Sequence, residues 1–240
     1  MALPTNITAT PVVQPLAGGL YSAVSPVDGA NARVVGGLSL EPTNTGVSGQ
    51  WEHGAEDNAD KVGDRPEFRD FVATTVWAGD TVSAVGATLE GSGQRAEHIL
   101  TIREPVEVEA FVAAQFAEFP VTGSAPTAKE QLGIVEDELG KYGRPGVIHA
   151  SRELMVHLPI VRQGSALFSP GGHRYAFGGG YSALGTDIVA TGPMVIERSP
   201  VYLARATEVR QNEHSTVAER VVAVGWELPD IRVTRSAGGE

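Results

Sequence analysis

Histidine is the first place to look for chemistry, because its proton moves near neutral pH and its ring binds metals. The chain carries six: His53, His98, His149, His157, His173 and His214. His149 and His157 are eight residues apart and flank a short helical stretch. No H-E-x-x-H sets two rings on one helix face, and no carboxylate cluster stands at ligand spacing beside them. Structural or surface roles are therefore expected for all six. The glycine run FGGGY at 177–181 lacks both the P-loop spacing and the G-x-G-x-x-G pattern, and no lysine follows it. It reads as a bend where backbone approaches backbone closely. No G-x-S-x-G elbow is present. The paired acids Glu56-Asp57 and Glu136-Asp137 read as solvated charge. Acids of the glycosidase type need not be neighbours in sequence, and nothing singles out such a pair. With no cysteine in the chain there is no thiolate nucleophile, thiolate metal site or disulfide. The expectation is no catalytic residue, no cofactor and no metal, hence not an enzyme.

Composition points the same way. The net charge is -11, and Lys61, Lys129 and Lys141 are the only lysines. Such a chain offers no positive stripe to release counterions from phosphates, so sequence-specific nucleic-acid binding is not expected. Hydrophobic residues at 42% and charged residues at 20% are globular proportions. The first residues lack the basic and unbroken apolar regions of a signal peptide, and no run of about 18 apolar residues exists, so no membrane partner is expected.

The elements that could position these residues are mixed. Residues 1–35 are apolar but broken by Pro4, Pro11, Pro15, Pro26 and the pair Gly18-Gly19. They read as an extended arm lying on the chain's own body or, by preference, on a neighbour. Residues 34–41 and 68–78 read as strands joined by a long polar segment, which together suggest a projecting hairpin. Residues 94–118 carry helical periodicity through Ile99, Ile102, Val106, Phe111, Val112 and Phe116, with a kink or break expected at Pro105. Residues 127–140 predict a second helix, opened by a Thr127/Glu130 capping box and closed at Gly140. A buried strand at 146–150 follows, then a short helix at 151–158 capped by Ser151, then strands at 187–197, 201–209 and 217–234. The class is α+β.

Several stretches resemble the small major capsid proteins of tailed phages of actinobacteria. They are RPGVIHAS at 144–151, LPIVRQGSALFSPGGHRYAFGGGYSALG at 158–185, IVATGPMVIE at 188–197 and RQNEHSTVAERVVAVGWE at 210–227. GGLSLEPTNTGVSGQWE at 36–52 and FRDFVATTVWAGDTVSAVG at 68–86 are similar more loosely, with Val82 and its neighbours where the family has cysteines. The resemblance implies the tailed-phage major capsid fold, shared with encapsulins: an N-terminal arm (1–35), an extended hairpin loop (36–80), a peripheral domain with a spine helix (81–125), an axial domain (126–205), and a return to the peripheral domain with a C-terminal tail (206–240). It implies a chain that self-assembles, as hexamers and pentamers, into the icosahedral shell around a phage double-stranded DNA genome. That shell is a virion head put together in the host bacterial cytoplasm, with scaffold, portal and decoration proteins as further partners. The acidic balance would suit a wall that must not stick to packed DNA. Trp51, Phe68, Phe71 and Trp77 are the candidate inter-subunit contacts, although Phe71 and Trp77 suit the chain's own core equally well. Some phage shells cross-link a loop lysine to a neighbour's asparagine, and Lys61 is the only lysine in the long loop, where a solvated side chain is the simpler reading. The alternatives are another self-assembling virion or compartment protein (a tail tube, a decoration protein, an encapsulin) and an enzyme with dispersed acids or histidines. A long mid-chain helix would count against a tail tube.

Overall fold

The computed structural model describes residues 10–29, 32–50, 63–85 and 87–236. Trp51, His53, Glu56, Asp57 and Lys61 lie outside the described residues.

The first third of the chain is made of short pieces: α1 (Leu20–Ala23), β1 (Val27–Asp28), a 3-10 turn (Ala32–Gly36), β2 (Leu38–Leu40) and β3 (Arg69–Phe71). β2 and β3 pair antiparallel, Leu38 opposite Phe71 and Leu40 opposite Arg69, and form the base of the expected hairpin. The strand expected over 68–78 is two strands. β3 ends at Phe71, and β4 (Ala73–Ser83) belongs to a different sheet.

The helix α2 (Leu89–Phe116) follows, 28 residues long and unbroken at Pro105. Proline removes one backbone bond and crowds the preceding turn. Here the helix is held by packing on both sides of the proline, with Leu100, Val108, Val112 and Phe116 buried against the sheet. Tertiary burial outweighs the local cost. The helix starts five residues earlier than its periodicity predicts, at an N-cap Thr88 whose hydroxyl accepts the Gly91 N–H at 3.0 Å.

After β5 (Val121–Ala125) comes α3 (Ala128–Gly140). Thr127 caps it as expected, accepting the Glu130 N–H at 3.3 Å and donating its hydroxyl to the Glu130 carboxylate at 2.9 Å. The remaining elements are β6 (Val147–Ser151), a 3-10 turn (Arg152–Val156), β7 (Val161–Gln163), β8 (Ala166–Phe168), β9 (Arg174–Gly178), a 3-10 turn (Gly180–Leu184), β10 (Ile188–Thr191), β11 (Met194–Arg198), β12 (Tyr202–Glu208), β13 (Glu213–Trp226) and β14 (Asp230–Arg235). The expected helix at 151–158 is only that 3-10 turn, and Ser151 makes no capping bond.

Two sheets make two lobes. In the first, order β5-β14-β10-β6-β9-β8-β7, α3 buries Leu132, Val135 and Leu139 against Ile148, Ile188, Ile231 and Val233. In the second, β13 is central. β4 runs along one side of it, and β11 and β12 share the other. α2 lies on this sheet.

The lobes are joined where two strand pairs change sheets together. Sequence reading predicts one strand over 187–197 and one over 217–234, but both are split. β10 gives way to β11 at Gly192-Pro193, and β13 to β14 at Leu228-Pro229. Proline cannot donate to a ladder, so each strand ends there. The crossing is tied by Gly192 N–H to Glu227 O and Glu227 N–H to Pro193 O, both 3.0 Å. It is tight enough that a Cβ on Gly192 would fall 2.2 Å from the Leu228 carbonyl oxygen.

The arm departs from expectation. Residues 18–23 pack on the chain's own body, with Leu20 fully buried, and β1 adds parallel to β11. The preferred reading, that residues 1–35 lie across a neighbour, fails for this stretch, because its backbone and Leu20 already have partners within the same chain.

Candidate assembly surfaces

Past β2 the outgoing strand of the hairpin meets Glu227, a carboxylate only 5% exposed at the sheet crossing. It accepts the backbone N–H of Thr43 at 3.0 Å and of Asn44 at 3.2 Å, the Asn44 side-chain amide at 2.9 Å and the Thr45 hydroxyl at 3.2 Å. Arg144 closes the group from the α3 lobe, 3.3 Å from Glu227 and 3.0 Å from the Thr45 hydroxyl, with a further bond to the Asn44 carbonyl. Burial pushes the Glu227 carboxyl up. The donors on Asn44, Thr43 and Arg144 outweigh that and hold it below the usual glutamate value. The returning strand is fixed separately. Arg69 reaches Asp230 through two bonds, 3.2 and 2.8 Å, and the Trp226 indole N–H donates to the same carboxylate at 2.9 Å. Both strands of the hairpin are thus pinned at the point where the lobes join, and that fixes the direction in which it leaves. Sequence reading named none of these residues. Glu227 and Asp230 flank a proline after a long apolar strand, which marks a strand end but not a clasp.

Of the four candidate contacts, Trp51 lies outside the described residues. Phe68 is 58% exposed and Trp77 64% exposed. Phe71 is turned inward, 9% exposed, its ring 4.6 Å from that of Trp226. Val47 and Val72 are also exposed, as are Val12, Val13 and Leu16 before the docked part of the arm. Exposed apolar side chains, and the outer edge of the 11-residue strand β4, unpaired among the described residues, are surface that associating proteins cover.

Of the groups that sequence reading weighed for chemistry, His149, His173 and Glu136 are paired inside the fold, and His214 bonds the Thr207 hydroxyl at 2.9 Å on the surface. His149 is fully buried in a bond of 2.9 Å to the Tyr181 hydroxyl and one of 3.3 Å to the Thr191 hydroxyl. Burial lowers its pKa to about 3, so the ring is neutral. His173 Nδ1 accepts the Gly146 N–H at 3.1 Å, which leaves Nε2 to carry the proton toward Glu136, 3.3 Å away. A cavity of about 420 Å3 lies beside α2, where Glu104, Tyr21, Arg198 and Arg220 converge. There Glu104 accepts from Tyr21 and Arg198 at 2.8 Å, and Arg220 stands 3.5 Å off. Among the described residues no group of three His, Asp or Glu side chains is placed to hold a metal, and no helix is long and apolar enough to cross a membrane.

No family model matches the sequence, and no curated protein matches it. Solved structures do. A chain in the capsid of an empty GTA particle superposes with a TM-score of 0.64 at 11% identity, over 98% of this chain and 96% of that one. One in the capsid of a native GTA particle gives 0.63 at 10% identity, over 99% and 96%. At such identities the likeness is one of fold, and it spans nearly the whole of both chains. The chain has the major capsid fold.

Proposed function

We propose that this chain, having that fold, is a major capsid protein: it self-assembles into the icosahedral shell that encloses a tailed phage's double-stranded DNA genome. The observation that carries the reading is the extent of the fold likeness, 98% of this chain and 96% of the capsid chain. The exposed apolar residues before Ala17 and the hairpin root clasped at Glu227 support it, since a free-standing globular domain has no use for such surface.

Function on this reading is interface energy. Each contact made by the hairpin, the arm or the β4 edge is modest, and a closed shell of hexamers and pentamers multiplies them, since every subunit is held on several sides. Phe68 and Trp77 supply aromatic contact surface, and Trp51 remains a candidate. On this reading residues 1–35 are the arm and 36–80 carry the hairpin loop, while the α2 lobe serves as peripheral domain and the α3 lobe as axial domain. That moves β4, β11 and β12 to the peripheral side and β5 and β14 to the axial side of the boundaries expected at 81–125, 126–205 and 206–240. The net charge of -11 suits a wall beside packed DNA. The shell is a virion head built in the bacterial cytoplasm, with scaffold, portal and decoration proteins as further partners. The long α2 favours this reading over a tail tube.

Negative-stain microscopy of the purified chain tests it. Closed particles of uniform diameter are expected. A monodisperse monomer that persists at high concentration, with and without added scaffold, overturns it.

A further inference from the structure

Two glycine clusters far apart in sequence, Gly18-Gly19 and Gly178-Gly179-Gly180, meet around one side chain. Glu109 of α2 is 2% exposed. Its carboxylate accepts the Leu20 N–H at 2.9 Å from the arm and the Gly180 N–H at 3.0 Å from the turn after β9. A Cβ on Gly19 would fall 2.2 Å from its Oε1, one on Gly178 2.5 Å from its carboxyl carbon, and one on Gly180 2.1 Å from the Val106 carbonyl oxygen. Only side-chain-free backbone fits this close, so the site is a box shaped to the carboxylate. Burial holds the Glu109 carboxyl above the usual glutamate value, and the Gly180 and Leu20 N–H groups, with Arg152 nearby, offset that only in part.

The same stretch of arm is tied along its length. Arg152 donates to the Ala17 carbonyl at 2.8 Å, and Phe177 N–H donates to the Gly18 carbonyl at 2.8 Å. Arg174 donates to the Ala23 carbonyl at 2.7 Å. Asp28 takes two bonds of 2.8 Å from Arg198. Before Ala17 the pattern stops: Val12, Val13 and Leu16 are exposed, Leu16 at 73%. Gly18, at φ +91°, turns the chain between the two regimes.

We infer that residues 17–28 are a strap fastened in cis, with Glu109 as its catch and Ala17-Gly18 as the pivot from which the preceding residues leave toward another copy. Only the destination of those preceding residues rests on the shell reading. The strap does not exchange between subunits. The catch fixes where, and at what angle, the free part of the arm departs, and it ties that point to both lobes through α2 and the turn at Gly180.

Amide hydrogen exchange on the dilute, unassembled chain tests this. Leu20 and Phe177 amides are expected to be protected there as well as in assembled particles. Glu109→Gln keeps the size but replaces one acceptor oxygen with a donor, and should speed exchange at both amides about tenfold or more while α3 amides change less than about twofold. Gly19→Ala, which alters only the arm's side of the box, should reproduce that local effect. Strap amides protected only in assembled particles would show an exchanged strap and overturn the inference. So would unchanged Leu20 exchange in Glu109→Gln, or α3 amides that accelerate as much as Leu20 in Gly19→Ala. Failure to see shells by microscopy would leave these outcomes standing.

Discussion

In the α3 lobe, every residue of β6 and β10 is buried. In the α2 lobe, β12 is exposed at every residue but Leu203, and β4 turns Trp77 to solvent. Both sheets end in open edges, β7 and most of β5 in one and β4 and β12 in the other, yet only the α2 lobe carries long exposed edge strands, an exposed tryptophan and the root of the hairpin. Fully buried central strands stabilise a single chain. Open edges and exposed aromatics add nothing to that and gain energy only when another surface covers them. Folding stability and assembly should therefore respond to different residues.

The largest effect should come where the lobes share a core. The Phe116 ring is 4.5 Å from His149 and 5.3 Å from both Trp226 and Phe119, so it touches side chains of both sheets. Phe116→Ala should cost about 3–5 kcal/mol, the usual range for emptying such a site. Denaturant unfolding should remain a single transition with the midpoint lowered. Two separated transitions would mean the lobes are independent, and the contrast drawn between them would then be one of separate domains.

A smaller effect is expected at the hairpin root. Because the Glu227 carboxyl is held below the usual 4.5, the clasp contributes its stability above that value and loses it as pH falls through the lower, folded value. Glu227→Gln should remove about 1–3 kcal/mol at neutral pH, the range for bonds to a charged acceptor, and flatten the fall in stability below about pH 4.5. Thermal melts across that range read both. If the variant keeps the wild-type slope, some other carboxylate governs acid sensitivity and the clasp is weaker than its geometry.

The contrast between lobes was partly legible in the residues. The periodicity around Val112 and Phe116 located α2, and Thr127 with Glu130 located the start of α3. The first turn of α2 was hidden because Gly91, Ser92 and Gly93 are weak helix formers; a Cβ on Gly93 would lie 3.0 Å from the flexible end of Arg205. Strands read as continuous through Pro193 and Pro229 because apolar residues lie on both sides, while the change of sheet depends on the long-range pairing of Gly192 with Glu227. The catch at Glu109 and the clasp at Glu227 were invisible as sites, since their partners sit 89 and 183 residues away. One signal was available. Glu104 and Glu109 fall on the helix face of Leu100, Val108 and Val112, and a carboxylate on an apolar face must have partners when buried.

The smallest effect on folding should come from Trp77. It sits opposite Glu219 in the ladder with β13, its ring 3.7 Å from where a Cβ on Gly79 would lie, and 64% of it faces solvent. Trp77→Ser therefore removes little buried area, and its folding cost should stay within about 0.5 kcal/mol, a change of a few degrees at most in melting temperature. Assembly is a different matter. An exposed tryptophan on an unpaired edge strand is the kind of group that dominates an interface once covered, and in the proposed shell each subunit would contribute one. The concentration needed to form particles should rise about tenfold or more, equivalent to about 1.4 kcal/mol per subunit. Light scattering against protein concentration measures it, alongside a thermal melt of the dilute chain. A melting point that drops by many degrees while the assembly threshold stays put would place Trp77 among the groups that hold its own chain together, and the division of labour between the two lobes would have to be redrawn.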